Sequence, residues 1–151
     1  MDAPRANSTA SETLTPRELR RRRYNEFKNV FGLSVSFADV LSDNRTRDVV
    51  LVRQILIWAR SYAGQPMGKP RKTVDVGNVF NRDHTTVVHT LKKLRAIAYT
   101  GDARVSSEGL ELLLEAAYAL EKDGSIPEEL KTKIAALREK EGEIIRNSSQ
   151  I

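Results

Sequence analysis

Five consecutive residues, Arg82-Asp83-His84-Thr85-Thr86, set a guanidinium, a carboxylate, an imidazole and two hydroxyls side by side, and His89 follows about one helical turn later. A carboxylate beside an imidazole could serve acid–base catalysis. No Ser/His/Asp arrangement, carboxylate pair or metal-ligand spacing accompanies it, so no enzyme is expected. With no cysteine and only two histidines the chain offers a poor metal site, and no cofactor or metal is expected. The other chemistry is recognition of duplex DNA. At a helix start Asp83 can accept from a cytosine amino group, His84 can donate or accept, and the methyls of Thr85 and Thr86 suit thymine C5-methyls. Arg82 suits a phosphate, and His89 could meet the DNA backbone. Spacing alone leaves the bland alternative open, with Asp83 an ordinary cap and Thr85 and Thr86 merely exposed.

The elements that must position these groups are legible on both sides. Thr73 can cap a short helix, Val74 to Phe80, with Val76, Val79 and Phe80 inward. Asn81-Arg82-Asp83 forms a turn, and a second helix from about His84 to Ala98 should bury Val87, Val88, Leu91, Leu94 and Ile97. A short helix, a tight turn and a second helix with a polar leading edge make a helix-turn-helix. Gly77 interrupts the first helix at about 1 kcal/mol in propensity, which points to close packing. Upstream, Thr15-Pro16-Arg17-Glu18 starts a helix with a capping box. Its apolar positions are Leu19, Phe27, Val30 and Phe31, with Arg23 in the same register, and Gly32 ends it. Ser36 to Leu41 is a short capped helix with Phe37, Val40 and Leu41 inward. A polar loop bearing Arg45 and Arg47 leads to a long helix, Arg47 to Ala63, whose inner face is Val49, Val52, Ile55, Leu56, Ala59 and Tyr62. Trp58 reads as a packing residue. The loop Gly64 to Lys72 carries Lys69, Arg71 and Lys72.

Charge is segregated. Residues 1–100 carry 18 Lys/Arg against 9 Asp/Glu, and residues 101–151 carry 7 against 11. A basic front suits a polyanion. The four arginines Arg20 to Arg23 splay around their helix, as a solvated face or an auxiliary phosphate contact. The acidic tail reads as two helices, Ser107 to Lys122 and Pro127 to Arg146. Their apolar stripes are Leu110, Leu113, Leu114 and Ala117, then Leu130, Ile134, Leu137 and Ile144. This hairpin folds back on the domain or docks a second copy or another protein. The chain is therefore expected to be all-α: a lead-in at 1–14 without structure, a helix-turn-helix domain at 15–100 and a helical extension at 101–151. No membrane segment or leader is read, and a cytoplasmic protein is expected.

Residues Tyr24 to Ile97, about half the chain, resemble the C-terminal DNA-binding domain of the bacterial replication initiator DnaA. Three stretches carry the resemblance in order. They are Val40-Leu41-Ser42 through Arg45-Thr46-Arg47, Val52-Arg53-Gln54-Ile55, and the most specific, Arg82 to His89 (RDHTTVVH). The resemblance implies that Arg45 enters the minor groove and that Arg53 and Arg82 hold phosphates. Asp83, His84 and Thr85 would read bases in the major groove, with Thr86 in methyl contact and Gln54 and His89 near the DNA backbone. Asp43 and Asn44 depart from the basic residues usual in the family. The loop before the helix-turn-helix is longer, so that Lys69, Arg71 and Lys72 could supply replacement phosphate contacts. The turn Phe80-Asn81-Arg82 is shorter than the common Gly-Gly form. No GxxxxGK[ST] loop occurs in these 151 residues, so the initiator's ATP-driven opening of origins is not expected of them.

Two functions follow. The first is a sequence-specific double-stranded DNA-binding protein that regulates replication initiation or transcription in a bacterium, phage or mobile element. The second is an interaction adaptor acting through residues 107–146, as a homodimer or on a protein partner, with a degenerate DNA-binding head.

Overall fold

The computed structural model describes residues 14–146, which form seven α-helices. These are α1 (Pro16–Phe31), α2 (Phe37–Leu41), α3 (Arg47–Tyr62), α4 (Thr73–Val79), α5 (His84–Thr100), α6 (Ser107–Asp123) and α7 (Glu128–Glu141). The expected lead-in at 1–14 lies, except for Leu14, outside the described residues. The fold is all-α, and among the described residues no helix is long and apolar enough to cross a membrane.

Local chemistry sets the helix ends. Thr15 Oγ1 accepts from Glu18 N at 3.1 Å, and its hydroxyl donates to the Glu18 carboxylate rather than leaving Glu18 to reach back to the Thr15 amide. Ser36 and Asp39 form a complete capping box at α2. Gly32 closes α1 at φ 66°. The buried face of α1 is Tyr24, Phe27 and Phe31; Leu19 is exposed and Val30 and Arg23 only half-buried, contrary to the expected stripe. The register turns because Tyr24 is drawn inward. Its hydroxyl donates to Val35 O and its ring packs on Phe27 and Phe37.

Helix α3 is the hub and contacts α2, α4, α5 and α6. Leu51 and Ile57 are buried together with the expected Val49, Val52, Ile55 and Ala59, while Leu56 and Tyr62 are only half-buried. A helix apolar around most of its circumference is an enclosed one. Full burial of Leu51, Ile55 and Ile57 is worth about 1.5–3 kcal/mol each. Trp58 is half-buried and packs its ring against Tyr62 (6.5 Å) and Tyr118 (5.9 Å).

The hairpin shares this core. Helix α6 packs on α3 and α1, and α7 packs on α1 and α6. Leu110, Leu113, Ala117, Leu130, Ile134 and Leu137 thus belong to one continuous cluster with α3. The last helix is shorter than expected. Gly142, at φ 83°, ends α7 after Glu141, and the chain turns so that Ile144 and Ile145 are buried without being helical. A buried guanidinium anchors the start of the tail. Arg104 pairs with both carboxylate oxygens of Asp102 and donates to Arg47 O at the head of α3, and Arg146 N in turn donates to Arg104 O. The Arg104 hydrogen bonds hold the Asp102 carboxyl below its ordinary range.

Candidate nucleic-acid interface

Helices α4 and α5 meet across a turn that only glycine at position 77 permits. A Cβ on Gly77 would lie 2.3 Å from Arg82 O. Gly77 O accepts from Phe80 N at 3.1 Å and from Arg82 N at 2.8 Å, and Asn81 completes the turn in the left-handed region at φ 56°. Asparagine tolerates that conformation better than most residues. The turn holds α5 tightly against α4.

Asp83 occupies the N-cap of α5 in extended conformation, but its side chain makes no cap hydrogen bond. Its carboxylate lies 3.0 Å from His84 Nδ1 instead. Asp83, His84, Thr85, Thr86 and His89 are all exposed. Packing of α5 falls to Val87, Thr90 and Leu94, with Leu91 and Ile97 half-buried. Val88, expected inside, is exposed at 36%. The helical period explains this: Val88 lies one position off the Val87–Thr90–Leu94 stripe and shares the outward side with Thr85, His89 and Lys92. Lys92, Lys93 and Arg95 are exposed further along α5 and escaped the sequence reading, although their spacing from Thr85 and Val88 could have found them.

The second part of the site is the loop between α2 and α3. It is built from hydrogen bonds: Ser42 Oγ donates to Asp39 O (2.8 Å), Asn44 N to Ser42 Oγ (3.1 Å) and Thr46 N to Asn44 Oδ1 (2.9 Å). Asn44 therefore turns the backbone around Arg45, which is exposed, as is Arg47. Arg53 sits differently from the phosphate contact its family position implies. It is 7% exposed, and its Nε donates to Val40 O (2.7 Å) while Nη2 lies within reach of Asp39 O (3.1 Å), Ser42 O (3.0 Å) and Asn44 O (2.9 Å). Burial first, and then the neighbouring Arg82 guanidinium, pulls its pKa down to about 10, which leaves it cationic at neutral pH. Arg82, half-buried, donates from Nη2 to the same Ser42 O and from Nη1 to Phe80 O (3.3 Å) and Asn81 O (3.1 Å).

Gln54 is buried, and its Oε1 has no hydrogen-bond partner among the described residues. In the long loop Arg71 is committed to the end of α3, donating to Arg60 O and to Ala63 O (3.0 Å). Lys69 and Lys72 are exposed. The structure thus brings the Arg45 loop to the head of α5, and it engages Arg53, Arg71 and Arg82 with backbone carbonyls. Among the described residues no group of three His, Cys, Asp or Glu side chains could hold a metal ion.

Comparison with known proteins bears on the same part of the chain. Residues 30–94, which take in α2 to most of α5, match the family model described as bacterial DnaA protein helix-turn-helix. Similar curated proteins include the chromosomal replication initiator protein DnaA of Pseudothermotoga lettingae, 35% identical over 85 residues, which are 56% of this chain and 17% of that protein. The DnaA of Brucella abortus is 34% identical over 99 residues (64% and 18%), and that of Nitrobacter hamburgensis 32% over 111 residues (72% and 22%). The chain spans about a fifth of the length of these relatives. No solved structure matches it at a comparable level of significance. Through residues 30–94 the chain is thus similar to the helix-turn-helix of the bacterial DnaA protein.

Proposed function

We propose that the chain is a sequence-specific double-stranded DNA-binding protein without catalysis of its own, acting on a duplex element akin to the boxes bound by chromosomal replication initiators. In this reading the head of α5 lies in the major groove, where Asp83, His84 and Thr85 address base edges and Thr86 and Val88 meet thymine methyls. Arg45 enters the minor groove from its loop. Arg47, Lys69, Lys72 and Lys92 face phosphates, with His89 beside them. The protein would regulate replication initiation or transcription in the cytoplasm of a bacterium, on host, phage or mobile-element DNA. The observation that carries the reading is the division of labour on α5. Its leading edge is a run of exposed polar side chains, including a cap carboxylate that caps no backbone amide, and its packing is met elsewhere. The positive dipole end of the helix adds to this.

The test is titration of an initiator-type box and a scrambled duplex across a salt series. The box should be preferred by at least about a hundredfold at moderate salt. Thr85→Ala should cost about 1–3 kcal/mol on the box and little on the scrambled duplex. Equal affinity for both with one steep salt slope would reduce the function to phosphate attraction.

The adaptor reading draws its support from what the hairpin leaves uncovered, chiefly half-exposed Leu114 and Tyr118 beside Trp58. Deleting residues 101–151 cannot test it, because that removes Leu113, Ala117 and Ile134 from the shared core. Tyr118→Ser is the usable variant. Loss of self-association in sedimentation with DNA preference intact would favour an adaptor surface.

A further inference from the structure

We propose that Arg53 is a positioning residue for Arg45. It holds the α2–α3 loop in the shape that presents Arg45 and, through the Ser42 carbonyl it shares with Arg82, fixes that loop relative to the head of α5. The inference rests on the DNA-reading function proposed above.

The geometry is specific. The four carbonyls around Arg53 belong to Asp39, Val40, Ser42 and Asn44, and the last is the carbonyl of the peptide bond leading into Arg45. Arg53 as a residue is only 7% exposed and its Nε and Nη2 are turned to loop carbonyls, and a loop with converging carbonyls suits a planar, multi-donor cation at its centre. A loop carbonyl shielded from water is unfavourable without a donor, so the fork favours one loop conformation over its alternatives. The second link is Arg82. Its Nη2 reaches Ser42 O across 40 residues of sequence, and Asn81 Nδ2 approaches Leu41 O at 3.5 Å. The turn of the helix-turn-helix and the minor-groove loop are thus tied at adjacent carbonyls. Both DNA readers are set relative to each other before DNA arrives, which lowers the ordering cost of binding.

The test separates the two grooves chemically. Replacing adenine by 2,6-diaminopurine adds an amino group in the minor groove and leaves the major-groove pattern unchanged. Replacing thymine by uracil removes a methyl from the major groove only. On a duplex the wild-type chain prefers, each replacement at a contacted pair should weaken binding about tenfold. Arg53→Lys keeps the charge and loses the fork. It should reduce the diaminopurine effect to less than about twofold while the uracil effect and the salt slope persist. Arg45→Ala should give the same pattern of groove effects with a lower salt slope, and the double variant should add no further groove effect.

A phosphate contact predicts otherwise. Arg53→Lys would then bind almost as wild type, and Arg53→Met would lower the salt slope by about one with both groove effects intact. That result overturns the proposal, as does loss of both groove effects by a variant that melts like wild type. Should Arg53→Lys fail to fold, Arg53→Gln, which also lacks the fork that reaches all four carbonyls, carries the same expectation for the two groove effects. Wild-type chain that prefers no duplex would bring down the DNA-reading function itself. Wild-type preference with insensitivity to Arg53→Lys would bring down this inference alone.

Discussion

Gly77→Ala is a one-carbon change that opposes two effects of known size. Gly77 lies inside α4, where alanine should gain about 1 kcal/mol in helix propensity. Against this, the new Cβ would sit 2.3 Å from Arg82 O, where contacts under 3.0 Å are essentially never seen. The turn must therefore retreat by roughly 0.7 Å. It cannot do so freely: Arg82 N donates to Gly77 O at 2.8 Å, and Arg82 is tied to Ser42 by its side chain. Overpacking of this kind costs about 1–3 kcal/mol, and weakening the Arg82–Gly77 hydrogen bond adds about 1 kcal/mol. Set against the propensity gain, the net loss is about 2 kcal/mol, a fall in Tm of about 4–8 °C for a domain of this size. Thermal unfolding followed by circular dichroism measures it. Asn78→Ala, at the exposed neighbouring position of the same helix, is the control and should raise stability slightly. Because the displaced turn carries the head of α5, the variant should also lose preference for its DNA site in the titration described above. A Gly77→Ala protein that melts at or above wild type and keeps its site preference would refute this account of the turn.

Two further outcomes follow from named contacts. Asp102→Asn leaves the buried Arg104 guanidinium without its counter-charge and should cost about 3 kcal/mol at neutral pH. Since the Asp102 pKa is lowered from 3.8 in the folded state, the wild-type advantage is complete above that value and is lost as pH falls through the folded pKa. Urea unfolding of both proteins at pH 7 and in strong acid should show the gap closing, and a gap independent of pH would exclude the ion pair as its source. Lys92→Ala should weaken binding to every duplex alike and reduce the salt slope by about one. A loss confined to the preferred site would instead make Lys92 a base reader.

Much of the fold could be read from local chemistry. The Thr15 and Ser36 caps, the glycine stop at Gly32 and the short helix, turn and second helix around Asn81 all follow from residues within a few positions of one another. Three features did not, for different reasons. The continuous apolar character of α3 was present in Val49 to Trp58, but selecting a single stripe hid that Leu51 and Ile57 also needed cover. Val88 was assigned inward because it is apolar, whereas the period set by Val87, Thr90 and Leu94 turns it out towards Thr85. Arg53 was least legible. Its partners lie 9–14 residues away on a loop whose carbonyls converge only after folding, and nothing in the side chain's type distinguishes a carbonyl ligand from a phosphate ligand. Asn44 shows the converse. It departs from a position usually basic in the family, and in the fold it turns the backbone at Arg45 through Thr46 N.

The separation of roles on α5 has an evolutionary consequence. The residues that hold the helix in place, Val87, Thr90 and Leu94, occupy one side, and the outward side bears Thr85, Val88, His89 and Lys92. Substitutions at such exposed positions ordinarily shift stability by no more than about 0.5 kcal/mol. On the DNA-reading function proposed above, drift or selection can therefore rewrite the sequence this head would prefer without endangering the scaffold. A lineage that duplicates the gene could acquire a second address on the chromosome by changing a few side chains, with every buried contact left as it was.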